Sequence, residues 1–437
     1  MSEAFGLAGV AHARVASRHP LVWRPAPRAR QLATVGLIAL VAALATGRAP
    51  LVLLAVPALT ALAAASRGGR PGEIEVALAV TAVRCFEGEE FELRVTVRSA
   101  EELDEIGMRL HVGDAFQLSD GSAAQAAVVS ATADARWTLR ARRWGRHHPG
   151  TVRVTCHGAG AMWQASVDVL ATVVDVFPTA RARASLVPVD LLRRIGEHVS
   201  RASGEGVEFA GVRPYLPGDR LRDINWAVTG RRGQLHVNQR AAERAADLVV
   251  MIDAFTHTGP PGESTLDLAV RGAAGLATAY LRVGDRVGAV ALGGMLRWLA
   301  PGTSEQQFYR IVQTVFDIRT DSVVEPDLGR IPRTALPPGA LVVAFSPLLD
   351  DRVIGGLTDL RERRFPLVVV DVLNTEPALR RPRPLDALAL RLWRLDRAAL
   401  RLSFANLGIP VVTWDGSTAL DTVLTPLRHL PIVARRS

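Results

Sequence analysis

Apolar residues follow three different rhythms along this 437-residue chain. Close to the N-terminus they run almost unbroken. LATVGLIALVAALAT fills 32–46 and LVLLAVPALTALAAAS fills 51–66, with Gly47, Arg48, Ala49 and Pro50 between them. Each run falls a little short of the roughly 20 residues that carry a helix upright across a bilayer. Two such runs around a Gly/Pro break predict a transmembrane helical hairpin over 32–66, preceded by an Arg-rich cytoplasmic tail at 1–31. Arg14, Arg18, Arg24, Arg28 and Arg30 precede the pair and Arg67 and Arg70 follow it, whereas the turn holds Arg48 alone. Positive charge on both outer flanks sets both ends in the cytoplasm. The expectation is a multi-pass protein of the inner (cytoplasmic) membrane with its later domains in the cytoplasm. A cleaved signal peptide fits less well, because the charged lead-in is long and a second apolar run follows directly.

From 73 to 180 the rhythm changes to a period of two. EIEVALAV, FELRVTVRS, GMRLHV, ARWTLRARR, TVRVTCHG and SVDVLATVVDVFP alternate between breaks of Gly, Asp and Ser, which predicts an all-β immunoglobulin-like sandwich. Residues 181–246 are rich in Arg and carry little periodicity. Over 247–437 short apolar runs at 247–253, 286–293, 340–346, 366–373 and 409–415 alternate with longer stretches at 265–282, 304–318, 385–407 and 419–430. In the longer stretches apolar residues recur three and four apart, as on a helix face. The chain is therefore multidomain, and this last part is predicted to be a doubly wound α/β domain with a mostly parallel sheet.

Charge adds little to that picture. The formal net charge is +9 and the pI about 10.8, but all 52 basic residues are Arg, spread along the chain with no Lys. Together with the abundance of Ala, Gly and Val this suggests a GC-rich genome. Without a basic stripe, a nucleic-acid partner is not expected; the arginines flanking the hairpin suit anionic lipid better. Cys85 and Cys156 lack any spacing for zinc or a disulfide framework and read as buried thiols.

The most distinctive segment runs from Gly204-Glu-Gly-Val-Glu-Phe209 through Arg213-Pro-Tyr215 and Gly218-Asp219 to Arg222-Asp-Ile-Asn-Trp226. It is followed by Arg231-Arg232-Gly233 and then by the run ending at Asp253. This order of G-x-E-F, R-x-Y-x-x-G-D and R-x-I-D-W resembles the hallmark of the domain-of-unknown-function 58 family. Arg142 to Gly150 and Gly408 to Trp414 extend the similarity over nearly the whole chain. The resemblance implies a membrane-tethered protein with a von Willebrand factor A-like domain, often encoded beside a MoxR-type AAA+ ATPase and a transglutaminase-like membrane protein. Read from the residues alone, Gly218 and Asp219 suit a tight turn. Asp219 and Arg222 are spaced to pair, and Arg213, Glu208 and Asp223 could complete an ion-pair lattice. Arg213, Tyr215, Asp219, Arg222 and Trp226 are therefore either packing residues or a binding surface.

Domains of the von Willebrand factor A type often bind Mg²⁺ through Asp-x-Ser-x-Ser after the first strand. Here the loop reads Asp253-Ala-Phe255-Thr256-His257-Thr258, so Phe255 and His257 stand where the hydroxyls belong. A hard cation wants several oxygen ligands. The expectation is no tight metal site and no cofactor, only a degenerate position at Asp253. Sequence signatures of nucleotide-binding loops, zinc proteases and serine hydrolases are absent. The leading expectation is a binding or scaffold protein, not an enzyme, engaging its partner around Asp253 and Ser346 at the strand ends. The competing one is a metal-dependent hydrolase built on Asp253, His257 and Asp350, which requires those side chains to converge.

Overall fold

The computed structural model describes residues 13–66, 70–179, 208–216, 221–241, 247–293, 296–316, 331–373, 375–377, 384–418 and 420–424. The chain divides into two compact units, Met1–Pro178 and Thr179–Ser437.

The first unit begins with β1 (Ala13–Pro20) and β2 (Arg24–Pro25), followed by α1 (Pro27–Thr46) and α2 (Val52–Ser66). The stretch expected to be only a charged tail thus contains strands, and the first helix starts five residues before the apolar run. Pro27 has no N–H to leave unsatisfied at a helix start, and Gly47 ends α1 at φ +65°. Apolar side chains on α1 such as Leu37, Ile38, Val41 and Leu44 are exposed. Its 20 residues are long and apolar enough to cross a membrane, a form shared by anchors and signal sequences. The second apolar helix is shorter and contains Pro57. The two helices pack through small residues: a Cβ at Gly36 would lie 3.6 Å from Ala58 Cβ.

The chain then forms β3 (Glu73–Val80), β4 (Arg84–Phe86), β5 (Glu90–Val112), β6 (Phe116–Asp120), β7 (Ala124–Ala141), β8 (Gly145–His147), β9 (Gly150–Gly158), β10 (Trp163–Leu170) and β11 (Val174–Phe177). One eight-stranded sheet has the order β1-β3-β5-β9-β10-β2, with β7 on β5 and β6 on β7; a second joins β4, β11 and β8. Alternation in the sequence places Val76, Leu78, Leu93, Val95, Val152, Val154 and Cys156 in one buried cluster with Cys85, Val174 and Val176 of the smaller sheet. Two segments read as separate strands, FELRVTVRS and GMRLHV, are one strand, because β7 runs beside the intervening acidic residues with an irregularity between Arg98 and Leu103. Burial, followed by the nearby carboxylates of Glu89 and Asp175, pushes the Cys85 thiol up to about 12, and burial pushes Cys156 up to about 11.

The second unit opens with a two-stranded ribbon, β12 (Glu208–Pro214) and β13 (His236–Ala241). A 3-10 turn at Leu221–Asp223 and α3 (Trp226–Arg232) lie between these strands in sequence. Asn225 caps α3 by accepting from Val228 N–H at 3.1 Å and ties it to the ribbon through Asn238 at 2.7 Å.

The α/β portion consists of β14 (Asp247–Asp253), α4 (Thr265–Arg282), β15 (Arg286–Leu292), β16 (Arg297–Gly302), α5 (Glu305–Phe316), β17 (Leu341–Ser346), α6 (Asp351–Glu362), β18 (Leu367–Asp371), α7 (Pro384–Asn406), β19 (Val411–Thr413) and α8 (Leu420–Leu424). Its sheet order is β16-β15-β14-β17-β18-β19, parallel throughout except for β16 at the edge. The expected alternation of strands and helices is present, with β16 and α6 in addition. Strands β17 and β18 are buried at every residue, as a parallel sheet covered on both faces requires. A reciprocal Ser264/Asp267 capping box starts α4. Most of the expected helix at 419–430 lies outside the described residues.

Candidate functional site

Four neighbouring parallel strands end in the same local device. Beyond the last residue of each buried run the backbone must turn, and the N–H groups of that turn lose their sheet partners. A short oxygen-bearing side chain can supply one by bonding two residues ahead. Asp253 Oδ1 accepts Phe255 N–H at 3.1 Å, Ser346 Oγ accepts Leu348 N–H at 2.9 Å, Asp371 Oδ1 accepts Leu373 N–H at 3.1 Å, and Asp415 Oδ1 accepts Ser417 N–H at 2.9 Å. Asp253, Ser346 and Asp371 are the last residues of β14, β17 and β18, and Asp415 lies two residues past β19, in their order across the sheet.

Ser346 is the hinge of the row. Its hydroxyl donates to Asp253 Oδ2 at 2.6 Å on one side, and it stands in register with Asp371 on the other. Asp371 is fully buried, and its Oδ2 accepts from Arg397 at 2.6 Å and Arg401 at 2.7 Å, both on α7. Arg397 also donates to the carbonyls of Pro347 and Leu348, at 2.6 and 3.0 Å. The turn after β17 is thereby clamped around Leu348, whose φ of +53° is uncommon for a residue with a side chain.

Asp253 is 2% exposed. Burial raises its carboxyl to about 6, the Ser346 and Phe255 hydrogen bonds oppose that rise, and the Asp350 carboxylate adds to it while Arg352 lowers it. Asp350 lies below the usual carboxylate range, held there first by the Arg352 side chain, with Thr256 donating a further hydrogen bond. The Asp350–Arg352 ion pair measures 2.7 Å, and the guanidinium lies 4.1 Å from the centre of the Phe255 ring. Asp350 also caps α6, which explains its displacement from the strand end.

Asp253 and Ser346, both expected at the site from sequence, are thus in direct contact. Asp350 is close enough to act on Asp253 through its charge. His257 is exposed, and among the described residues no hydrogen bond joins it to either carboxylate. Tyr215 is tied to the ribbon through its N–H to Leu235 at 2.8 Å, Arg213 bonds Pro214 O at 3.0 Å, and Trp226 stands exposed at the start of α3. Asp219 lies outside the described residues, as do the side chains of Arg222 and Glu208. Asp371, Arg397 and Arg401 were not singled out from sequence. The signal for Asp371 was available: like Asp253, it is a carboxylate that ends an apolar strand.

A hard cation takes several oxygen ligands, and the oxygens gathered here already take part in hydrogen bonds or an ion pair. Both oxygens of Asp253 and the hydroxyl of Ser346 are engaged internally, and Asp350 is engaged by Arg352. Among the described residues no three His, Cys, Asp or Glu side chains form a metal-ligating group.

Residues 211–376 match the family described as Protein of unknown function DUF58. That span takes in Arg213, Tyr215, Trp226, Asp253, Ser346 and Asp371, a narrower stretch than the resemblance read from sequence. Uncharacterized protein Mb1516 of Mycobacterium bovis and Uncharacterized protein Rv1480 of Mycobacterium tuberculosis are each 33% identical to the chain over 123 residues. The aligned stretch covers 28% of this chain and 39% of each relative.

Proposed function

We propose that the chain is a membrane-anchored, cytoplasm-facing interaction or scaffold protein, working with a MoxR-type AAA+ ATPase through a von Willebrand factor A-like domain that needs no metal ion. The observation that carries this reading is the internal commitment of the strand-end side chains. Asp253, Ser346 and Asp371 are spent on closing turns and joining strands. A sheet with these ends offers a rigid edge for protein contact and no free base or nucleophile among them. The strand order, with a single antiparallel edge, suits a von Willebrand factor A-like fold. The two sheets of the first unit sharing one core suit an immunoglobulin-like sandwich.

Membrane anchoring by a hairpin draws on the apolar outer faces of α1 and α2 and on the strands before them. β1 pairs with β3 from Ala13↔Val80 to Pro20↔Glu73, and β2 pairs with β10. Cleavage after α1, as for a signal sequence, would strip both strands from the sheet and uncover two edges, at β3 and at β10. The arginines on both flanks favour the cytoplasmic side. For partner contact, Leu216, Leu221 and Trp226 expose large apolar surface on the segment that carries the family hallmark; exposed aromatics are frequent anchors of protein interfaces.

Crosslinking in native membranes followed by purification of the full chain tests the scaffold reading. A AAA+ ATPase should be recovered with the wild type and lost with Trp226→Ala, and recovery of no protein partner would defeat the proposal. Calorimetric titration of the purified chain with Mg²⁺ or Mn²⁺ tests the metal-independent part. Micromolar binding abolished by Asp253→Ala would overturn it.

A further inference from the structure

Helix α7 carries two apolar faces, and its own domain uses one. Phe404 is buried, Leu400 packs on the α/β core, and Arg397 reaches Asp371. On another face Leu385, Leu388, Leu392, Leu395 and Leu402 are each 54 to 76% exposed, and Ala399 is exposed with them. Their spacing alternates three, four, three, four, three. That is a strict seven-residue repeat with Leu385, Leu392 and Ala399 at its a positions and Leu388, Leu395 and Leu402 at its d positions. A helix that merely covers a globular core drifts with a period of 3.6 and leaves its outward face polar.

The charges beside this seam identify what fits it. Arg391 is at position g, and Asp396, five residues on, is at the following e. In a parallel pair of identical helices, g of one strand meets that e of the other, so two copies form two Arg391–Asp396 ion pairs related by the symmetry axis. An antiparallel pair would set g beside g and e beside e, giving no such bond. Among the described residues neither Arg391 nor Asp396 has a hydrogen bond or ion pair within its own chain. By contrast Arg394, Arg397 and Arg401, which lie off the seam, are all paired.

We propose that the chain self-associates as a parallel two-fold dimer through α7, with the Leu385–Leu402 seam of one copy packed on that of a second. The seam is three heptads long, so the association is concentration-dependent.

The test uses the full chain in detergent micelles or lipid nanodiscs, with mass measured by sedimentation as concentration is varied. The wild type should dimerise. Arg391→Glu replaces both ion pairs by repulsion and should raise the dissociation constant by roughly tenfold or more, and the charge-exchanged double variant Arg391→Glu/Asp396→Arg should restore it. Both positions are exposed, so the fold is left intact. Under mild oxidation Leu392→Cys, whose a position meets itself across a parallel axis, should form an intermolecular disulfide, whereas Ala387→Cys on the outer side should not. Cys85 and Cys156 are buried and do not interfere. A monomer at every concentration, or a dimer indifferent to Arg391→Glu, overturns the proposal. So does Leu392→Asp that reduces binding to anionic vesicles without changing the mass, since it would assign the seam to lipid.

Discussion

Ser346 Oγ lies 2.6 Å from Asp253 Oδ2, joining the ends of adjacent parallel strands through a side-chain bond beyond the last ladder pair. The same oxygen accepts Leu348 N–H. Ser346→Ala leaves a carboxylate oxygen and a backbone donor without their partner in a buried place, at a cost of about 1–3 kcal/mol for each group that water does not reach. Thermal or urea unfolding of the full chain in detergent should show that loss. An unchanged midpoint would mean that water replaces the hydroxyl.

The raised carboxyl of Asp253 makes stability depend on pH in a defined direction. Between the ordinary carboxylate range and about 6 the folded chain holds a proton that the unfolded chain releases. Stability then falls as pH rises through that window. With about 1.4 kcal/mol per pKa unit, the loss is roughly 2–3 kcal/mol between pH 4 and 7. Asp253→Asn, uncharged at every pH, should flatten this contribution and be relatively more stable near neutrality, as measured by unfolding midpoints across the pH series.

Asp371 separates two arginines by their burial. The Arg397 side chain is 11% exposed and that of Arg401 is 45% exposed. Arg401→Ala removes a half-solvated contact and should cost about 1 kcal/mol or less. Asp371→Ala strands the Arg397 charge and should cost about 3–5 kcal/mol, accompanied by faster proteolysis after β17, where Arg397 holds the Leu348 turn. Equal effects from the two substitutions would contradict this division.

Gly272 marks the closest approach of α4 to the sheet. A Cβ there would lie 2.5 Å from Phe345 Cε1 and 2.6 Å from Trp414 Cζ3. Although alanine favours a helix over glycine, overpacking of this kind costs about 1–3 kcal/mol. Gly272→Ala should therefore lower the unfolding temperature, while Gly355→Ala in α6, where the added atom meets nothing within 4 Å, should not.

The sequence was most legible where burial imposes a simple rhythm. β14 and α4 occupy Asp247–Asp253 and Thr265–Arg282, the bounds expected from the apolar run and from the three-and-four spacing. β16 is a half-exposed edge strand containing Pro301, and its residues carry neither alternation nor a continuous apolar run. α6 contains Gly355 and Gly356 and buries only Val353, Leu357 and Leu360, too sparse a stripe to stand out. At the site, Asp253 was recognised through the loop that follows it. The partners of Asp371 lie 26 and 30 residues further along the chain, on α7, a pairing created by the tertiary fold.

β1 and β3 enter and leave the apolar helices at the same end of one ladder, where Pro20 faces Glu73. Tension on the helices pulls both strands in a common direction instead of peeling one from the other. The load passes to the boundary between β3 and β5, along the register from Ile74↔Ser99 to Val80↔Leu93. Pulled along the strand axis, those bonds resist in shear and together, so a load on the helices is shared along the whole β3–β5 register.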